Sequence, residues 1–154
     1  MTYYLEQNCG INSEFVHFVN RQQKNPYDIE HIWANDYTQG NHQSEFQSEE
    51  DFQSFRNNFG GLLILPKDKN RSYQDMEYTQ KVEKYDSENL LARTLNPNCY
   101  SNNPSFLRFK QTENLPFKSY LDFNKADLIE RQMLYKEICK KIWNVDLFDK
   151  IANS

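Results

Sequence analysis

The chain has 154 residues, the length of one ordinary domain with room for a real hydrophobic core. Hydrophobic residues make up only 38%, but aromatics reach 15%, so eleven Phe and ten Tyr are expected to supply much of that core. The sequence is therefore expected to fold as a single domain over 1–154, with no need of disulfides or metals for stability. No apolar run approaches the ~20 residues needed to span a bilayer, and Met1–Gly10 lacks a basic-then-apolar signal. Cys9, Cys99 and Cys139 are widely spaced and form no C-x-x-C pair, which removes the sequence support for a disulfide framework or a paired-cysteine zinc site. A cytoplasmic protein without a membrane partner is expected.

The net charge of −4 argues against a protein that grips nucleic acid over its whole surface. Charge is unevenly distributed, however. Glu45, Glu49, Glu50 and Asp51 form an acidic stretch, read as a solvated helix face, whereas Lys67, Lys69 and Arg71 cluster.

In chain order, Phe15, Val16, Phe18 and Val19 predict a helix within 13–23 that ends before Asn25-Pro26. Residues 27–33 are rich in β-formers and predict a short strand. Phe46, Phe52 and Phe55 among charged residues predict an amphipathic helix over 43–58, which Gly60-Gly61 then breaks. Leu62-Leu63-Ile64-Leu65, stopped by Pro66, reads as a buried strand. The basic segment 67–71 reads as a turn. A helix follows within 73–85, using Met76, Tyr78, Val82 and Tyr85, and a further helical turn lies around 89–95. Residues 96–116 are loop-rich, with a possible strand at 106–109. The last helix is capped by Asn124 and carries Leu134, Ile138 and Ile142 on one side. Trp33, Trp143, Tyr73 and Tyr78 are expected to pack rather than stack on bases. His17 reads as a helix residue with one satisfied nitrogen, and His42 as exposed.

This order frames an antiparallel strand pair with a long helical insertion and a helix packed against it. Three features meet there: Glu30-His31 at the end of the first strand, Asn70 after the second, and the basic residues beside Asn70. A carboxylate and a carboxamide oxygen are hard ligands suited to Mg²⁺. A neutral imidazole can take a proton from an attacking water, and a metal can neutralise a phosphate and its departing oxygen. Successive strand side chains point to opposite faces, so Glu30 and His31 converge only if the strand ends, twists or bulges there. No Gly-rich phosphate loop, G-x-S-x-G or H-E-x-x-H occurs, which leaves ATPase, serine hydrolase and zinc protease chemistry without residues.

Asp28-Ile29-Glu30-His31-Ile32 resembles the D/E-H-I signature of HNH, or His-Me finger, endonucleases. Phe59-Gly60-Gly61-Leu62-Leu63-Ile64-Leu65, followed by Asn70 and Lys81, is similar to the G-N-L-x-L-L … N … F-x-x-K pattern of the HNH domain that ends GmrSD-type restriction proteins. Arg131, Leu134 and Ile142-Trp143 fit the R … L … I-W ending of that domain, and Asp68-Lys69-Asn70-Arg71 resembles the matching loop of RNA-guided CRISPR nucleases. The resemblance implies an α+β fold with a ββα-metal core over about 27–85 and a helical C-terminal part over about 86–146, including a long last helix. It implies a metal-dependent DNA endonuclease that hydrolyses phosphodiesters in the restriction of foreign or modified DNA, as in phage defence. His31 would be the general base, Glu30 and Asn70 the ligands of one Mg²⁺ or Mn²⁺, and Lys69 and Arg71 phosphate contacts.

The pattern departs at three points. The usual H-x-x-P becomes His31-Ile32-Trp33-Ala34, the first Asn of G-N-L is Gly61, and Glu30 replaces the commoner Asp. Proteins with this ending carry an N-terminal ParB-like nucleotide-hydrolysing domain with a D-G-Q-Q-R type motif, and no such motif occurs here. That domain or subunit is expected as a partner. The alternative reading is a catalytically weak DNA-binding or protein-interaction module that keeps the fold.

Overall fold

A computed structural model describes residues 1–40 and 42–144. Among them the chain forms α1 (Thr2–Asn8), α2 (Phe15–Val19), β1 (Tyr27–His31), α3 (His42–Glu45), α4 (Glu49–Arg56), β2 (Leu62–Pro66), α5 (Lys67–Tyr73), α6 (Tyr78–Tyr85), α7 (Leu90–Arg93), α8 (Pro104–Thr112) and α9 (Lys125–Ile142). The fold is mixed α+β, with one two-stranded antiparallel sheet and a long C-terminal helix. No described helix is long and apolar enough to cross a membrane.

The strands pair without a bulge, from Tyr27 opposite Pro66 to His31 opposite Leu62. The ladder is bracketed by Lys67 N–H donating to the Pro26 carbonyl and Ile32 N–H donating to the Gly61 carbonyl. That parity aims the backbone groups of Ile29 and His31 away from β2, along the open edge of β1. Alternation sends Glu30, Leu63 and Leu65 into the core, while Ile29 on the opposite face is half exposed. A regular strand thus holds Glu30 and His31 on opposite faces.

Between the strands, the helix expected over 43–58 is two helices. Ser48 interrupts it and caps α4, its side chain accepting from Asp51 N–H. This insertion carries the aromatic centre of the core, where Trp33 meets Phe46, Phe52 and Phe123. His42 lies against Trp33 and Phe52 and is half-buried rather than exposed. The acidic stretch is only partly solvated: Glu45 accepts from Lys125 N–H at 2.7 Å, and Asp51 lies 3.6 Å from the Lys125 ammonium.

Three other expectations are corrected. The basic segment is the helix α5, which starts directly after Pro66 and includes Asn70. The segment read as a possible strand at 106–109 lies in α8, where Asn103 accepts from Phe106 N–H and Pro104 fills the first turn. Proline there sacrifices no helical hydrogen bond. The last helix is as expected. Asn124 and Asp127 form a reciprocal capping box, and Leu128, Leu134, Tyr135 and Ile138 are buried. Trp143, expected to pack, is by contrast 64% exposed among the described residues.

α9 crosses the turn of 3₁₀ helix at Phe59–Gly61, just ahead of β2. A Cβ on Gly60 would collide with the Leu128 carbonyl and sit 2.7 Å from the Gln132 amide nitrogen. Here glycine is required by close approach of two backbones. Arg131, fully buried, ties α9 to α7 by donating to the Leu91 carbonyl at 2.9 Å, and is steadied on its own helix by donating to the Tyr135 hydroxyl at 3.0 Å.

Candidate active site

His31 closes β1 and is half-buried. Its Nε2 lies 3.0 Å from Asn57 Oδ1, and the Asn57 amide is itself oriented by donating from Nδ2 to the Gln53 carbonyl at 2.9 Å. With the acceptor end of the amide facing Nε2, that nitrogen carries the proton and the Nδ1 lone pair is left for another donor. Burial lowers the imidazole pKa below its ordinary value, and the nearby Arg56 cation lowers it further. The Asn57 hydrogen bond works in the other direction, so desolvation and charge outweigh it. The ring is accordingly neutral near pH 7, the state a general base needs.

Asn57 was not among the residues singled out by sequence. It reaches His31 from the C-terminal end of α4, across the insertion, and no local motif marks it. Its neighbour Arg56 holds the strand exit, donating from Nε to the carbonyls of Trp33 at 3.2 Å and Ala34 at 3.1 Å. These bonds, with Trp33 Nε1 donating to the Phe123 carbonyl, restrain the segment where the usual proline is replaced by Ala34.

Asn70 comes from α5, whose first turn is tied to the segment before β1. Asn25 exchanges hydrogen bonds with Asp68, its Nδ2 donating to the carboxylate at 2.7 Å and its Oδ1 accepting from Asp68 N–H at 3.1 Å. Asn70 Nδ2 donates to the Ile29 carbonyl at 2.8 Å, so its amide sits on the open edge of β1. Lys69 and Arg71 are exposed on the same short helix.

Glu30 lies elsewhere. Its side chain is 1% exposed, and its Oε1 accepts from the Lys81 ammonium and from the Tyr85 hydroxyl, each at 2.8 Å. Lys81 Nζ also donates to the His31 carbonyl at 2.7 Å. Burial lowers the Lys81 pKa while Glu30 opposes that shift, and burial raises Tyr85 well above its ordinary value so that it stays a donor. The Asn70 amide thus sits two residues before His31 on the open edge of β1, while the Glu30 carboxylate is on the core face and already carries a cation. As a donor set for a divalent ion, Asn70 fits as a hard oxygen ligand. Glu30 in this arrangement does not, since an ion there would have to displace a buried ammonium. No cluster of three or more His, Cys, Asp or Glu suited to a metal occurs among the described residues.

A half-buried histidine thus ends the first strand of a two-stranded antiparallel sheet, with a polar helix following the second strand directly, and keeps one ring nitrogen free to accept a proton. The family of GmrSD restriction endonuclease C-terminal domains matches residues 2–138, and the chain belongs to that family. No curated protein and no solved structure matches it.

Proposed function

We propose that the chain is the nuclease domain of a restriction system, an HNH-type endonuclease that hydrolyses DNA phosphodiesters with His31 as general base. The observation that carries this reading is the 3.0 Å approach of Asn57 Oδ1 to His31 Nε2, which leaves Nδ1 as the free nitrogen of a ring whose pKa burial lowers. β1, β2 and α5 would form its ββα core, and Lys69 and Arg71 would meet phosphate from the exposed side of α5. In this reading His31 Nδ1 takes the proton of the attacking water. A divalent ion, Mg²⁺ or Mn²⁺, is the expected cofactor, and it would neutralise charge on the phosphate. Asn70 is the oxygen donor at hand for it. Target selection is assigned to a ParB-like nucleotide-hydrolysing domain or subunit.

The buried Glu30–Lys81 pair favours a second reading, a catalytically weak module that keeps the fold and binds DNA or protein. Cleavage of a supercoiled plasmid separates the two. The nuclease reading expects nicking with Mg²⁺ or Mn²⁺, arrested by chelation without unfolding, and a loss of about 10²–10⁴-fold in folded His31→Ala. Near-normal nicking by that variant sinks it, and absence of cleavage under every metal tested supports the module.

A further inference from the structure

Glu30, Lys81 and Tyr85 form a closed polar cluster beneath β1. Lys81 is fully buried, Tyr85 likewise, and Glu30 nearly so. Burying two opposite charges is costly, and such a pair persists only where its geometry is good and its remaining bonds are made. Here Oε1 accepts twice and Nζ reaches two oxygens. The second oxygen is the backbone carbonyl of His31, one of the three β1 carbonyls the ladder aims away from β2. Of the others, Ile29 is taken by Asn70 and Tyr27 by Arg21. The open edge of β1 is therefore fixed at all three outward carbonyls, and the peptide following His31 is held from the core side.

We propose that Glu30 is a positioning residue for His31 rather than a ligand of the ion: it orients Lys81, and Lys81 clamps the His31 carbonyl so that the imidazole meets Asn57 in one pose. This rests on His31 being the base. The cluster acts through the strand backbone, since alternation keeps the Glu30 side chain on the far face from the imidazole. Without the carboxylate, a buried ammonium loses its counter-charge and its grip on the strand loosens.

The test uses Glu30→Gln and Lys81→Met, with Tyr85→Phe as a milder variant that removes one bond to Oε1 should either fail to fold. Ring-nitrogen NMR of His31 reads the tautomer without requiring activity. The wild type is expected to hold the proton on Nε2, and the variants to populate both tautomers. In cleavage assays kcat is expected to fall about 10–100-fold, as for a misplaced catalytic group, with KM for duplex nearly unchanged. Mn²⁺ alone serves as the ion probe: any paramagnetic broadening of the Asn70 amide seen in the wild type should persist in Glu30→Gln. An unaltered His31 tautomer in every folded variant overturns the proposal. Loss of that broadening, or a tenfold higher half-saturating Mg²⁺ concentration in Glu30→Gln, about 1.4 kcal/mol of ion binding, overturns it as well. A wild type that cuts nothing defeats the nuclease reading alone, since the tautomer and Mn²⁺ measurements still decide the role of Glu30.

Discussion

Asn57 Oδ1 faces His31 Nε2 at 3.0 Å, joining the end of the insertion to the end of the first strand. Because Gln53 orients the amide, this contact selects which imidazole nitrogen is free. Asn57→Ala should leave the fold intact, since Asn57 is exposed, yet release the tautomer. Cleavage should fall about tenfold or more through misorientation of the base. Asn57→Asp should keep the Nε2 proton and raise the His31 pKa by adding a negative neighbour. His31 NMR titration of both variants checks this, and a wild-type tautomer in Asn57→Ala contradicts it.

The pH dependence follows from His31 and His42, both lowered from 6.5 chiefly by burial. Between the native pKa values and 6.5 the unfolded chain binds more protons than the native one. Stability is therefore full above the unfolded value and is lost as pH falls through the lower native ones. Urea midpoints measured from about pH 8 down to 5 should decline across that interval, and His31→Gln with His42→Gln should flatten the slope. The acid limb of cleavage should fall below 6.5, with the His31 titration.

Gly60→Ala should destabilise by about 1–3 kcal/mol or more, because the obstructing atoms include the backbone of α9 rather than a yielding side chain. The same change at Gly40, where a Cβ would meet no atom of the described residues within 4 Å, meets only its positive φ of 59°. Denaturant midpoints of the two variants compare collision with backbone strain. Equal losses would remove the close approach of α9 as the cause.

Lys69→Ala and Arg71→Ala should each weaken duplex binding across all sequences and reduce the salt slope by about 0.9 per lost phosphate contact. With a net charge of −4, the wild-type slope should itself be shallow. Titration of unmodified and modified duplexes at several salt concentrations reads both. A strong preference for the modified duplex would show that this chain carries its own reader.

The strands were legible because Leu62–Leu65 ends in Pro66 and residues 27–33 are rich in β-formers. α9 was legible because Asn124 precedes a regular apolar repeat. α5 was hidden, since Lys-Asp-Lys-Asn-Arg-Ser offers no apolar period and a proline reads equally as a strand stop or a helix start. α8 is masked by Phe106 and Phe109, which fit a strand equally well, although Asn103-Pro104 before them is a helix-start signal. At the site, the family resemblance marks His31 and Lys81, but the bond from Lys81 to a backbone carbonyl leaves no trace in a side-chain pattern. Asn57 was invisible for the same reason that it matters: the insertion brings it back across the fold.

The seat of α9 on Gly60 also bears on timing. A growing chain exposes β1, β2 and His31 long before Leu128 and Gln132 are made, yet the turn ahead of β2 rests on those late residues. Domains are completed as units during synthesis, and contacts distant in sequence form last. An unfinished chain therefore carries His31 without the helix that underlies the turn ahead of β2, so under the proposed nuclease reading competence to cut waits until the last helix emerges.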